Sequence, residues 1–284
     1  MITCIIMGGL GNQLFQIYTT MALSIEMKTD FSFPINKLET DKRSDIYWDS
    51  FLKELNKNVT VLDIKNIKLP VYKEREFKYN KIQILPDTIK KAGGIILYGY
   101  YQSYKYFDKE YKNIARYIRL DESRQSVKDI FYKQYESKNV ISMHFRLGDY
   151  KGLTHVYHLL KYTYYENAIQ KIIETKGGQS IKFNILFFCE DADLHDVVLI
   201  IDALKAKFNN CNFIRAPEHL QDWEQLLLMS CCENNIIANS SFSWWGAWMS
   251  EYRDKIVIAP KDWFGIKINV LNGDDVVPES WIKI

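Results

Sequence analysis

Hydrophobic and polar positions along the chain fall into two textures. From Val140 onward, short apolar runs alternate with helical patterns. Val140–Phe145, Phe183–Cys189, Asn212–Arg215, Asn235–Ala238 and Ile256–Ala259 read as strands. Between them, Tyr162–Thr175, Asp193–Phe208, Trp223–Cys232 and Ser243–Tyr252 read as helices, the first stopped by Gly177-Gly178. The N-terminus opens in the same way. A strand over Thr3–Met7 leads into Gly8-Gly9-Leu10-Gly11-Asn12-Gln13, then into a helix with Leu14, Ile17, Met21 and Ile25 on one face. Phe31–Pro34 and Ile95–Tyr101 are further strand candidates, the second followed by the aromatics Tyr104, Tyr106 and Phe107. The stretch from about Asn36 to Asp87 is lysine-rich and keeps no clean period, so it receives no elements. Strands alternating with helices imply an α/β protein with a parallel sheet and crossovers. Ligands of such sheets bind at the carboxyl ends of the strands. A domain boundary is expected near residue 135, in the polar stretch Lys133–Asn139.

Composition narrows the function classes. A net charge of +2 gives no global field for nucleic acid, so any anion must be held by a few placed residues. The five cysteines, Cys4, Cys189, Cys211, Cys231 and Cys232, form no C-x-x-C pair, which points to reduced thiols rather than a disulfide framework or a zinc site. Met1–Met7 lacks a basic n-region, and no apolar run approaches the ~20 residues of a membrane span. The expectation is a soluble cytoplasmic protein, in peripheral contact at most with membrane-linked substrates.

Four segments carry candidate chemistry. The glycine loop brings backbone amides close to a ligand or simply turns the chain. A dinucleotide fingerprint fits poorly, because Leu14 stands at the third glycine position and Asp30 precedes its strand instead of closing it. His144-Phe145-Arg146-Leu147-Gly148-Asp149-Tyr150 follows a strand, and alternation sends His144 and Arg146 to one side. Arginine offers the fork that diphosphate oxygens accept; the plainer alternative is a strand-end ion pair between Arg146 and Asp149. Glu190-Asp191-Ala192-Asp193 places carboxylates after a strand, for ribose or guanine, for a metal through its D-x-D, or for a helix N-cap at Asp193. In Asn239-Ser240-Ser241-Phe242-Ser243-Trp244-Trp245, hydroxyls and amides at a helix start make an anion site or an N-cap cluster. Trp244 and Trp248, one turn apart, and Leu226–Met229 read as core.

Together these segments resemble glycosyltransferase family 11, the α-1,2-fucosyltransferases. The resemblance rests on GGLGNQLFQ at Gly8–Gln16, GYYQSYKYF at Gly99–Phe107, HFRLGDY at His144–Tyr150 and NIIANSSFSWWGAW at Asn235–Trp248. APKDWF at Ala259–Phe264 and the closing Pro278 and Trp281 also fit, so the match runs in order over almost the whole chain. It implies a metal-independent GT-B-type fold, with two Rossmann-like domains facing a central cleft: an acceptor-side domain over 1–135 and a GDP-sugar-binding domain over 136–284. It implies GDP-β-L-fucose as donor, the 2-hydroxyl of a terminal galactoside as acceptor, inversion at the anomeric carbon, and no cofactor beyond the donor substrate. By position, Arg146 holds the diphosphate, His144 meets the guanosine part, Asp191 the base or ribose, and Ser240, Ser241, Phe242 and Ser243 the phosphate and nucleoside. Asn12 faces the donor from the N-terminal loop. Asp149 is the expected base for the acceptor hydroxyl, ahead of His155 and His158. Two positions depart from the pattern: Leu147 stands where many relatives carry a second arginine, and Cys189-Glu190-Asp191 where they often have Ser-Asp-Asp. Other readings are a sugar-nucleotide-binding or lectin-like protein without catalysis, which would bind GDP without turnover, and an NAD-dependent oxidoreductase.

Overall fold

The computed structural model describes residues 1–35, 46–61, 68–133, 139–265 and 273–284. The chain divides into two compact units, Met1–Ser123 with Val270–Pro278, and Arg124–Asn269 with Glu279–Ile284. The boundary expected near residue 135 falls on 134–138, outside the described residues.

In the first unit, β1 (Ile2–Cys4) leads through the glycine loop to α1 (Leu10–Glu26) and β2 (Phe33–Pro34). β3 (Val59–Thr60), β4 (Val71–Lys73), α2 (Pro86–Ala92), β5 (Ile95–Tyr98) and α3 (Tyr111–Tyr117) follow. The strands β1-β5-β4 form a parallel sheet, and β2 pairs with β3. Two expectations change here. The first strand ends at Cys4, and the second at Tyr98 rather than Tyr101, whose backbone turns to a positive φ of 51°. Helix α1 is not one-sided: almost every residue from Leu10 to Ser24 is buried, and Ile25, expected on the apolar face, is 41% exposed. A helix surrounded by protein needs no polar face. Phe107 closes over it, its ring centroid 5.4 Å from that of Tyr18 and 5.9 Å from that of Phe15, both on the helix.

Helix α4 (Leu120–Val127) spans the division between the units. The second unit then runs β6 (Val140–His144), α5 (Tyr162–Lys176), β7 (Phe183–Phe188), α6 (Leu194–Lys207) and β8 (Cys211–Arg215). It continues with α7 (Asp222–Ser230), β9 (Asn234–Ile236), α8 (Ser241–Trp248), β10 (Val257–Ala259) and β11 (Ile282–Lys283). The expected strands and helices are present with shifted ends; α8 starts at Ser241 and stops at Trp248 instead of spanning Ser243–Tyr252. Gly177 and Gly178 stop α5 with φ of 115° and 91°, and the Gly178 N–H donates to the Ile173 carbonyl (2.8 Å), satisfying an end carbonyl.

All six strands are parallel, in the order β11-β10-β9-β6-β7-β8. Counted from β6 this is the doubly wound order 3-2-1-4-5-6. The strand order reverses between β6 and β9, where Ile141 pairs with Asn234 and Met143 with Ile236. The crevice outside the carboxyl ends of those two strands is the ligand position this topology dictates. Below it, Ile141, Met143, Ile185, Ile236 and Ile258 form the sheet's part of the core, covered by Ile169, Ile172 and Ile173 of α5.

Candidate active site

The loops leaving β6 and β9 meet at the crevice. His144 ends β6, is 8% exposed, and lies with its ring 5.7 Å from that of Phe242 at the start of α8. Burial, and secondarily the Arg146 charge, push its pKa down to about 3, so the imidazole is neutral. Its Nδ1 is buried with no hydrogen-bond partner among the described residues, as is Oδ1 of Asn239 just beyond β9. The Asn239 amide is otherwise engaged, its Nδ2 donating to the carbonyls of His158 (2.9 Å) and Trp263 (3.1 Å). These two orphaned polar atoms lie at or just beyond the carboxyl ends of the two strands flanking the switch point. The Tyr150 hydroxyl ties the two loops together by donating to the Asn239 carbonyl (3.0 Å).

Arg146 and Asp149 come together as the sequence suggests, with Nη2 donating to Oδ1 at 2.7 Å. Glu190, from the loop after β7, grips the other guanidinium nitrogen, and the cation sits 5.2 Å from the Tyr150 ring centroid. Burial works against the Arg146 charge, but Glu190 and Asp149 outweigh it and hold the guanidinium above its ordinary range. Tyr150 in turn stacks on Tyr157, with rings 4.0 Å apart and 6° from parallel.

The D-x-D carboxylates go separate ways. Asp191 is exposed and pairs with Arg215, which ends β8 and also binds Glu218. Asp193 stands at the N-cap position of α6 but makes no cap bond, contrary to that expectation. Its buried carboxylate accepts instead from the Gly148 N–H (2.5 Å) and from Lys151 Nζ (2.7 Å). No cluster of three or more His, Cys, Asp or Glu placed to hold a metal occurs among the described residues.

At the start of α8, the Ser240 hydroxyl accepts from the Phe242 N–H (3.4 Å), and Ser243 Oγ accepts from the Ala238 N–H (3.2 Å). Both serines are buried in this capping arrangement, while Ser241 and Phe242 are half-buried. The tryptophans are core, Trp244 stacking on Trp248 at 5.0 Å and meeting Trp281 at 5.5 Å.

Asn12 belongs to the first unit, where its Oδ1 accepts from Gln102 Nε2 (2.6 Å). Beside it, the Gln16 amide holds Met7 at both ends, accepting from its N–H (2.9 Å) and donating to its carbonyl (3.0 Å). Glu74 anchors the Gly99–Gln102 segment by accepting from the N–H groups of Tyr100 (2.7 Å) and Tyr101 (3.0 Å). Reading the sequence did not single out Glu74, Lys151 or Arg215. Arg215 alone left a signal, an arginine at the end of a strand, much as Arg146 follows β6.

The second unit is thus a doubly wound α/β sheet with a caged arginine and unsatisfied polar groups near its switch point. Solved structures give the fold its class. The chain is similar to a mutant of FUT1 from Arabidopsis thaliana in complex with GDP (TM-score 0.50, 8% identity, covering 99% of this chain and 75% of that one). It is also similar to a family 9 glycosyl transferase from Veillonella parvula (TM-score 0.52, 11% identity, 100% and 86%). The fold is GT-B-type α/β. The chain belongs to glycosyl transferase family 11, whose family model matches residues 1–284, and it is a glycosyltransferase. Two Escherichia coli relatives are each 27% identical: the O-antigen biosynthesis glycosyltransferase WbnK, over 98% of both chains, and an alpha-1,2-colitosyltransferase, over 98% of this chain and 96% of the other. Among the described residues, no helix is long and apolar enough to cross a membrane.

Proposed function

We propose that the protein transfers L-fucose from GDP-β-L-fucose to the 2-hydroxyl of a terminal galactoside, inverting the anomeric carbon, and acts in the cytoplasm on glycan precursors. The observation that carries this reading is Arg146, poised at the switch point beside the neutral His144. The acceptor oxygen attacks the anomeric carbon as the bond to the β-phosphate oxygen of GDP breaks. The hydroxyl proton passes to Asp149, and the negative charge growing on the departing GDP is met by Arg146 and the amides at the start of α8. His144 Nδ1 and Asn239 Oδ1 offer hydrogen-bonding positions to the donor. Transfer should proceed without added metal, since Asp191 and Asp193 are each engaged by a cation of this chain.

The relative described as an alpha-1,2-colitosyltransferase favours a second donor, GDP-colitose, with the same linkage. Purified protein and its Arg146→Ala variant, incubated in EDTA with each donor and with lactose or N-acetyllactosamine, test the reading through GDP release and product mass. Product heavier by one deoxyhexose, lost in the variant, supports fucosyl transfer; a dideoxyhexose increment moves the reading to colitose. GDP binding without turnover on any galactoside indicates another acceptor or a binding protein. Failure to bind GDP overturns the reading.

A further inference from the structure

Asp193 is the most buried of the carboxylates after β7, 3% exposed, whereas Glu190 and Asp191 face solvent. A carboxylate is costly to bury unless it is paired and hydrogen-bonded. Its position at the start of α6 would let it cap that helix, yet it reaches 45 residues back along the chain to Gly148. One oxygen takes the Gly148 N–H (2.5 Å) and the other takes Lys151 Nζ (2.7 Å), so a single group ties the first residue of the turn Gly148–Gly152 to its fourth. Lys151 is gripped a second time, by Asp196 of α6 (2.8 Å). Arg146 lies two residues before this turn, and Asp149 and Tyr150 lie within it. The three groups that cage the guanidinium therefore stand on, or reach over, a segment whose conformation Asp193 holds.

We propose that Asp193, assisted by Lys151, is the positioning residue for the turn that aims Arg146 and Asp149. It acts through the turn without touching the donor, and its place next to Asp191 in a D-x-D tripeptide is incidental to metal binding. The proposal rests on the reading of Arg146 as the diphosphate-binding group. The charge of Asp193 matters as well as its shape: an asparagine keeps one acceptor for Gly148 but loses the attraction for the ammonium.

Calorimetric GDP binding, transfer kinetics and melting curves on Asp193→Asn, Lys151→Gln, Arg146→Ala and the double variants Arg146→Ala/Asp193→Asn and Arg146→Ala/Lys151→Gln test this. Asp193→Asn should bind GDP about 10- to 100-fold more weakly, the usual loss for a hydrogen bond to a charged group, with the acceptor KM unchanged. In the Arg146→Ala background the same substitution should add little, because its effect runs through Arg146. A general structural defect would instead add to the loss. If Asp193→Asn does not fold, Lys151→Gln, whose side chain is partly exposed, carries the same comparison. Normal GDP binding by Arg146→Ala overturns the diphosphate reading. Where that variant does lose affinity, normal binding by the Asp193 or Lys151 variants overturns the positioning role. Hydrogen exchange at the Gly148 amide without ligand reads the staple directly: it should quicken in Asp193→Asn, and unchanged exchange overturns the proposal whatever Arg146 binds.

Discussion

The Glu190 carboxylate lies across the α-carbon of Gly148, so that a Cβ built there would stand 2.9 Å from Glu190 Oε2. Gly148 also holds a positive φ of 21°. The glycine is thus what lets Glu190 pass over the turn to Arg146. Gly148→Ala should lower stability by about 1–2 kcal/mol, the usual cost of a left-handed backbone for an L-residue. Removing the obstructing carboxylate with Glu190→Ala should recover part of that loss. A denaturant double-mutant cycle is expected to show favourable coupling of at least ~0.5 kcal/mol; strict additivity would contradict the close approach.

Arg146→Lys tests the fork itself. A lysine cannot hold Asp149 and Glu190 on separate nitrogens or present two parallel donors to a diphosphate. The expected loss in kcat/KM is about 100- to 1,000-fold, corresponding to ~2.7–4 kcal/mol of transition-state stabilisation. The melting temperature should change little, because ion pairs of this partly exposed kind contribute ~0–1 kcal/mol each.

His144 makes acid stability predictable in sign. Its pKa falls from 6.5 in the unfolded chain to about 3 in the folded one, through burial and then the Arg146 charge. Between those values the unfolded state binds the extra proton. The stabilisation is therefore fully present above pH 6.5 and lost progressively as the pH drops through this window. Replacing His144 by Gln should flatten the stability slope there by up to about 1.4 kcal/mol per pH unit. Urea melts at pH 4, 5 and 7 (values within or just above that window) would show it; an unchanged slope would mean that His144 takes up its proton when folded.

Glu74 supports the Gly99–Gln102 segment through two backbone N–H groups. Glu74→Ala strands both donors and should cost about 1.5–3 kcal/mol for each bond that water does not replace. Glu74→Gln keeps an amide oxygen and should cost less. Thermal denaturation of the two variants, compared side by side, checks the order.

Trp281 stands next to β11 and packs on Trp244 (5.5 Å between ring centroids) and Trp248 (6.5 Å). Trp281→Ala should cost about 3–5 kcal/mol, as for other large core truncations. Exchange of the Ile284 amide, which donates to the Ala259 carbonyl (3.1 Å), should quicken with it as the last strand loosens. Protection retained at Ile284 would show that the strand holds without the tryptophan.

Much of the second unit was legible in the chain. The alternation of β6 to β10 with α5 to α8, the glycine stop after α5, and the closeness of Arg146 to Asp149 depend on residues within a few positions of each other. Periodicity and short-range geometry encode such neighbours directly. The strand order and the two-residue strand β11 were not legible, since a run too short to show a period becomes a strand only where a sheet edge is waiting for it. Nor was the burial of α1 on all sides, which depends on Phe107 and Tyr111 arriving from a distant segment. At the site, a charged residue near a strand end has several carboxylates within reach in principle, and nothing local chooses among them. The register of β7 beside β6 brought Glu190 to Arg146 and turned Asp193 from its own helix to Gly148, because a buried carboxylate takes the partners that the packed sheet supplies.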